Sequence, residues 1–142
     1  MILVIDANIV IAALIRNSKV REILLSGKFK FLAPDFVKEE TFKYLEYVRQ
    51  KSGIEKKDLD LLVTLVFQEI QTIPKRDYES ELKKAEELMN EDIKDAQYVA
   101  CYLALKCDGV WTNDSDFNDK EGIKVFSTVY LVKLLYQNYI DK

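Results

Sequence analysis

The 142-residue chain contains no histidine, and this narrows the chemistry open to it. Serine and cysteine hydrolases with a histidine base are excluded, as are zinc enzymes with histidine ligands. A hydrolytic reaction would have to use carboxylates, lysine, tyrosine, serine or a metal ion. No apolar run approaches the roughly 18 residues that span a membrane, so we expect no membrane association.

Cysteine, proline and glycine are all scarce. Cys101 and Cys107 lie in one amphipathic stretch, with neither a metal-binding spacing nor a disulfide framework. We therefore predict reduced core cysteines and a cytoplasmic protein. The two prolines and four glycines are not concentrated in any linker-like segment. A single domain spanning residues 1–142 is the resulting prediction.

Short apolar runs alternate with amphipathic helical patterns along the chain. The runs at Ile2–Ile5 and residues 110–112 predict strands buried on both faces, and residues 28–33 and 123–126 predict two more. This alternation predicts an α/β fold, a three-layer sandwich with a mainly parallel central sheet flanked by helices. The predicted helices begin near Asn8 and cover about residues 19–25, 34–51, 57–70, 78–89, 92–106 and 128–140.

Two aspartates follow two of the predicted strands. Asp6 ends the first strand, and Asp114 comes two residues after the strand at residues 110–112. Ligands of open parallel sheets bind beyond the carboxyl ends of the strands, so both aspartates are candidate functional residues. The alternative is that each aspartate only caps the helix that follows it.

Helical phase separates two neighbouring glutamates. Glu40 lies four residues from both Phe36 and Tyr44, within the apolar stripe of its predicted helix. Glu39 falls outside the stripe and can pair with Lys43. A carboxylate that faces the interior is costly unless it is paired or bound to a cation, so Glu40 is a candidate ligand. The alternative is that Glu40 lies at the edge of the stripe and reaches water.

Further acids open the helix predicted at residues 92–106 or follow Asp114. Asp95 adjoins the apolar face of that helix and could point toward the same place as Glu40. The alternative is ordinary helix-start chemistry, with Asp92 as N-cap and Asp95 in the first turn. Asp116 follows Asp114 by two residues, a spacing that an Asx turn would also explain.

Four regions of the chain could therefore deliver carboxylates to one end of the sheet, with no basic motif evidently matched to them. Such a cluster repels itself unless a divalent cation is present, and Mg²⁺ favours a site of this kind. The arrangement suits phosphodiester hydrolysis. The net charge of −3 argues weakly against non-specific coating of nucleic acid but does not exclude a nuclease.

These residues resemble the motifs of the PIN-domain family of nucleases. The opening VIDANIVIAAL resembles the first-strand motif of the family, an Asp followed two residues later by Asn, Thr or Ser. The segment LAPDFVKEETFKYL is similar to the P-x-x-V-x-x-E segment. The segment DIKDAQYVACYLALKCDGVWTNDSDF resembles an Asp-Ala that opens a helix and then a Trp-Thr-x-Asp strand end. The match covers essentially the whole chain in the expected order.

The resemblance implies a hydrolase that cleaves single-stranded RNA with Mg²⁺ or Mn²⁺. Many members resemble toxins of toxin–antitoxin pairs and form homodimers, so the expected partners are RNA, a second copy of the chain and an antitoxin protein. Catalytic and metal-binding roles are implied for Asp6, Glu40, Asp95 and Asp114, and secondary roles for Asn8, Asp92 and Asp116.

Two other functions remain open. An aspartyl phosphatase would use Asp6 as nucleophile, but such enzymes usually need a second Asp where Asn8 stands. A PIN-like module could bind RNA or protein without cutting it, although no acid of the expected set is missing. For the ribonuclease, candidate phosphate contacts are Arg16, Lys19 and Arg21, with a solvated surface as the alternative.

Overall fold

A five-stranded parallel sheet forms the centre of the protein. The computed structural model describes residues 1–15, 18–90, 92–118 and 120–140. The strands are β1 (Ile2–Ile5), β2 (Lys30–Pro34), β3 (Ile70–Ile73), β4 (Gly109–Trp111) and β5 (Val125–Phe126). Their spatial order is β3-β2-β1-β4-β5, and every neighbouring pair is parallel. This confirms the predicted α/β fold.

Helices connect and cover the strands. None of them, over the described ranges, is long and apolar enough to cross a membrane. Short 3₁₀ turns occur at Lys75–Asp77, Glu79–Glu81 and Ser115–Phe117. The α-helices are α1 (Ala7–Ile15), α2 (Lys19–Leu24), α3 (Val37–Phe42), α4 (Leu45–Ser52), α5 (Lys56–Gln68), α6 (Leu82–Leu88), α7 (Ile93–Ala104) and α8 (Thr128–Ile140).

The central strand β1 explains why its sequence is a continuous apolar run. It pairs with β2 on one side and β4 on the other, and Leu3, Val4 and Ile5 are fully buried. A parallel strand covered on both faces has no solvent side, so apolar and polar residues do not alternate. The Phe31 and Trp111 rings, from the two strands that flank β1, lie 5.6 Å apart.

The strand order reverses at β1. From β1 the chain builds β2 and β3 on one side of the sheet and then returns to build β4 and β5 on the other. Such a reversal opens a crevice beyond the carboxyl ends of the two strands where the direction changes. Residues that directly follow β1 and β4 therefore border this crevice.

Strand β3 was not predicted. Residues 57–70 were predicted as one helix, but α5 ends at Gln68 and β3 begins at Ile70. A four-residue edge strand carries little periodic signal, since only Ile70 and Ile73 are buried in it. The helix predicted over residues 78–89 also starts late, because α6 begins only at Leu82, after two 3₁₀ turns.

The segment predicted as one helix over residues 34–51 is divided. Pro34 ends β2, where it pairs with Ile73 of β3, and does not open a helix. Helix α3 ends at Phe42, and α4 begins three residues later. The buried Thr41 hydroxyl donates to the Val37 carbonyl at 2.7 Å, a bond that bends helices. The break leaves Tyr44 48% exposed instead of in the predicted apolar stripe.

Glycine is required where β4 begins. A Cβ atom on Gly109 would lie 2.3 Å from Cε2 of Phe126 and 2.9 Å from the carbonyl oxygen of Lys124. A side chain here would therefore separate β5 from β4. The two cysteines behave as predicted, since both are free and buried. Burial raises the pKa of both thiols, that of Cys107 to about 11.

Candidate active site

Asp6 lies at the carboxyl end of β1 and is only 5% exposed. Its Oδ1 accepts a hydrogen bond from the backbone N–H of Ile9 at 3.0 Å, so the residue does cap α1. Its Oδ2 accepts from the Thr112 hydroxyl at 2.6 Å. Burial raises the pKa of Asp6, and the bonds from Thr112 and Ile9 oppose that rise. The carboxyl group is fixed in position by both neighbours.

Asp114 follows β4 and is tied to Asp6 through one residue. The Asp114 N–H donates to the Thr112 hydroxyl oxygen at 3.0 Å, and that hydroxyl donates to Asp6. Asp114 Oδ1 in turn accepts from the Asp116 N–H at 2.9 Å, the Asx-turn contact considered from the sequence. Thr112 was quoted as part of the strand-end motif but was not proposed as a functional residue.

Asp95, Asp114 and Asp116 converge on one point. Each offers a carboxylate oxygen, and the three oxygens lie within 4.8 Å of one another. Burial and then the charges of neighbouring aspartates raise the pKa of Asp95 to about 6. Those neighbours are Asp92, Asp114, Asp116 and Asp6. Because the charges of these four aspartates act on the pKa of Asp95, all five acids lie close together.

Asp92 performs the capping role that was the alternative for the start of α7. Its Oδ1 accepts the Asp95 N–H at 2.9 Å. Asp92 is therefore the N-cap of α7, and the Asp95 carboxylate belongs to the cluster with Asp114 and Asp116. Asp92 is exposed, whereas Asp95 is partly buried.

Glu40 is held by two lysines, which corrects the sequence interpretation. The sequence analysis paired Lys43 with Glu39, which is exposed. In the structure Lys43 instead forms an ion pair with Glu40, at 3.0 Å. Lys94 approaches the other carboxylate oxygen of Glu40 at 3.4 Å. The hydrogen bond from Lys43, with the charges of both lysines, lowers the pKa of Glu40. Basic groups are therefore matched to this acid, contrary to expectation.

Two clefts expose these acids. The inner cleft, of about 100 Å³, is lined by Asp6, Asn8, Glu40, Lys94 and Asp95, together with Ala7, Phe36 and Tyr98. The outer cleft, of about 420 Å³, is lined by Asp95 and Asp116, with Met89, Asn90, Asp92, Ser115, Asn118 and Lys120. Asp95 lines both clefts. All four proposed ligands thus belong either to the inner cleft or to the three-oxygen cluster.

The phosphate contacts suggested from the sequence are not found among these linings. Lys19 bonds Glu22 at 3.2 Å and the Tyr136 hydroxyl at 3.0 Å. Arg21 donates to the Ala13 carbonyl at 2.7 Å. Arg16 lies outside the described residues. The lysines that do line the clefts are Lys94 and Lys120, which the sequence interpretation missed although Lys94 directly precedes Asp95.

Tyr98 is a second residue that the sequence interpretation missed. Its hydroxyl accepts the Ala7 N–H at 3.2 Å, which ties α7 to the beginning of α1. Its ring packs 5.2 Å from that of Phe36, and burial raises the pKa of its hydroxyl. Tyr98 therefore links the helix that carries Asp95 to the residue that follows Asp6. Its position on the buried face of α7, three residues after Asp95, was the available signal.

The residues at this crevice fit a divalent cation. The converging groups are all carboxylate oxygens, the ligands that Mg²⁺ and Mn²⁺ prefer. Burial, and then the charges of the neighbouring aspartates, disfavour the ionised form of Asp95, and a bound cation would offset both effects. Among the described residues the donor set consists of carboxylates, in a chain that has no histidine and whose two cysteines are buried.

The parallel sheet and the carboxylates at its switch point define an α/β protein with an acidic, hydrolase-like site. A family model described as PIN domain matches residues 4–133. The chain therefore belongs to the PIN-domain family, and this membership supports a nuclease-type hydrolase. No curated protein matches the chain significantly.

Proposed function

We propose that this protein is a Mg²⁺- or Mn²⁺-dependent endoribonuclease that hydrolyses phosphodiester bonds of single-stranded RNA. The observation that carries the proposal is the convergence of Asp95, Asp114 and Asp116 within 4.8 Å beside Asp6. This cluster lies at the switch point of the parallel sheet, and parallel α/β folds bind their ligands there. Family membership supports the hydrolase class.

Asp6, Glu40, Asp95 and Asp114 would hold the cation directly or through water. When bound, a divalent cation lowers the pKa of a water molecule and stabilises charge on the leaving oxygen. Asn8, Asp92 and Asp116 would orient the ligands or the substrate.

The chain's own residues prepare this site in three ways. Thr112 and the Ile9 N–H fix both oxygens of Asp6 before any ligand arrives. Tyr98 holds the first residue of α1, and thus the turn after Asp6, against α7. Lys94 lines the inner cleft with its charge directed at Glu40, where it could bind a phosphate oxygen.

The alternative of an aspartyl phosphatase is less well supported. Such enzymes usually need a second Asp two residues after the nucleophile, and Asn8 stands there, lining the inner cleft with Asp6. A small phosphate monoester offered to the protein with Mg²⁺ should therefore not be hydrolysed.

Cleavage of a labelled single-stranded RNA tests the proposed activity. With Mn²⁺ or Mg²⁺ the wild type should cut, and excess chelator should stop the reaction. Asp114→Asn should not cleave the RNA. Glu39→Gln changes an exposed acid one residue from Glu40 and should cleave at the wild-type rate. Cleavage undiminished by chelator would falsify the metal dependence. RNA binding without cleavage would favour the non-cutting module instead.

Metal binding can be measured apart from turnover. Mn²⁺ should raise the melting temperature of the wild type, since a ligand of the folded state stabilises it by mass action. Asp95→Asn and Asp114→Asn should be at least as stable as the wild type without metal, because repulsion is relieved. Both should lose most of the gain with Mn²⁺. An equal gain in all three proteins would contradict a shared metal site.

The biological setting is also part of the proposal. We propose a cytoplasmic toxin of a toxin–antitoxin pair that acts as a homodimer, on the basis of family resemblance alone. Light scattering of the purified protein tests the dimer. Co-expression with the product of a short adjacent gene that encodes a DNA-binding protein tests the antitoxin, which should suppress RNA cleavage.

A further inference from the structure

A third cleft lies on the other side of the Asp114 turn. It has a volume of about 400 Å³ and sits where β4 ends and α8 begins; we call it the Tyr130 cleft. Its volume falls within the roughly 300–1,000 Å³ of pockets that take small ligands. Its lining residues are Thr112, Asn113, Asn118, Val125, Ser127 and Tyr130.

The Tyr130 cleft is a neighbour of the acidic clefts. Asn118 lines both the Tyr130 cleft and the outer cleft, and Asp95 lines both the outer and inner clefts. Thr112, which lines the Tyr130 cleft, also bonds Asp6. Shared residues therefore place the three clefts next to one another, beside the residues that follow β1 and β4. A linear polymer in contact with the acids would extend into the Tyr130 cleft.

The chemistry of the Tyr130 cleft differs from that of the other two. Among the residues that the structure describes, the six that line this cleft are uncharged, whereas the inner and outer clefts contain both acids and lysines. A neutral cleft offers no charge to a phosphate group. It suits the uncharged parts of a nucleotide, which are the base and the sugar.

The cleft has the two kinds of group that hold a base. Tyr130 is 47% exposed, and the Phe126 ring at 5.5 Å supports it. Bases stack on exposed aromatic rings of this kind. The Asn113 oxygen accepts the Thr128 hydroxyl at 3.0 Å, so the Asn113 NH₂ group is what remains to donate to a base.

We propose that the Tyr130 cleft binds a nucleobase of a single-stranded substrate next to the phosphodiester at the acids. Tyr130 stacks on the base, and Asn113 donates to its edge. The identity of the ligand as part of a substrate rests on the proposed ribonuclease function. The affinity of the cleft for a base does not depend on cleavage and can be measured separately.

Nuclear magnetic resonance titration with nucleosides tests this directly. Adenosine, guanosine, cytidine and uridine, which carry no phosphate, are each added to ¹⁵N-labelled protein, and inorganic phosphate is added in a parallel titration. At least one nucleoside should shift the side-chain amide signals of Asn113 and Asn118, and phosphate should not. Tyr130→Leu should raise the apparent Kd about 5- to 100-fold, the effect of losing one base–aromatic stack. Tyr130→Phe should retain binding.

Tyr47→Leu is the matched control, because this tyrosine is 50% exposed and lines none of the three clefts. It should leave the titration unchanged. If Tyr130→Leu fails to fold, Asn118→Ala replaces it and should also weaken binding. No nucleoside shift, or equal affinity in wild type and the folded variant, would overturn the proposal.

The two proposals can fail separately. Nucleoside binding at Asn113 and Asn118 in a protein that never cuts RNA would retain the base subsite and reject the ribonuclease. If the protein cleaves RNA but no nucleoside shifts its signals, and Tyr130→Leu leaves the KM for RNA unchanged, the ribonuclease is retained and the base subsite is rejected.

Discussion

The Thr112 hydroxyl donates a 2.6 Å hydrogen bond to Oδ2 of Asp6, across the boundary between β4 and β1. Its oxygen also accepts the backbone N–H of Asp114 at 3.0 Å. One hydroxyl group therefore sets the spacing of the two aspartates that follow the two strands of the switch point. Thr112 is only 2% exposed, so both bonds lie in a poorly solvated environment where they are strong.

Thr112→Val tests this positioning role. The variant keeps the shape of the side chain but leaves the buried Asp6 oxygen without its donor, which should cost about 1–3 kcal/mol of unfolding free energy. RNA cleavage should fall about 10- to 100-fold, as for other residues that orient metal ligands. Urea denaturation and cleavage rates measure the two effects. Thr112→Ser should restore both, and full activity in Thr112→Val would contradict the role.

The sequence predicted the strand-end acids because their positions depend on local signals. Asp6 and Asp114 each follow a short, largely buried apolar run, and such runs indicate central parallel strands. Once the strands are assigned, the carboxyl edge of the sheet brings the two acids together. The position of Asp95 at the start of α7 follows from Asp92, whose N-cap role was considered from the sequence and is observed.

The surroundings of Glu40 could not be predicted in the same way. Lys43 lies just after α3, which ends at Phe42. The helix ends beside the buried Thr41, whose hydroxyl donates a hydrogen bond to the Val37 carbonyl. A single helical phase placed Lys43 beside Glu39, one position from its observed partner. Lys94 reaches Glu40 from another helix, a contact between residues 54 positions apart. Tertiary contacts of this range leave no periodic signal in the chain.

Lys94 and Lys43 allow a matched comparison. Both bond Glu40, but only Lys94 lines the inner cleft. Both lysines are exposed, so Lys94→Met and Lys43→Met should each change stability by less than about 1 kcal/mol. Lys94→Met should raise the KM for RNA about tenfold through loss of a charged phosphate contact. Lys43→Met should leave KM within about twofold, and equal effects on KM would show that Lys94 serves only Glu40.

Asp92 separates helix capping from metal binding. Asp92→Ala removes the acceptor for the Asp95 N–H and should cost about 1 kcal/mol. Asp92→Asn keeps an acceptor and removes a charge that raises the pKa of Asp95, so it should be as stable as the wild type or more so. Thermal melts with and without Mn²⁺ compare the two variants. The difference between them should not depend on metal, and a metal-dependent difference would make Asp92 a ligand.

The raised pKa of Asp95 makes metal-free stability depend on pH. The folded-state pKa is about 6, against an ordinary value of 3.8, so the folded protein binds the proton more tightly than the unfolded chain does. The contribution of protonated Asp95 to the free energy of unfolding is therefore complete below about pH 3.8, and it is lost as the pH rises through about 6. The full shift corresponds to about 3 kcal/mol, and solvent screening of this partly exposed group reduces the expected effect to about 1 kcal/mol.

Urea denaturation in chelator between pH 4.5 and 7.5 measures this dependence in wild type, Asp95→Asn and Glu39→Gln. Asp95→Asn should become more stable relative to the wild type as the pH rises, because the variant never ionises at this position. The wild-type carboxylate instead becomes charged in a partly buried site beside Asp114 and Asp116. Glu39→Gln should stay parallel to the wild type, since Glu39 is exposed. Mn²⁺ should remove the difference at pH 7 by stabilising only the wild type. If Asp95→Asn and wild type keep a constant difference across the whole pH range, Asp95 does not carry the strain of the acidic cluster.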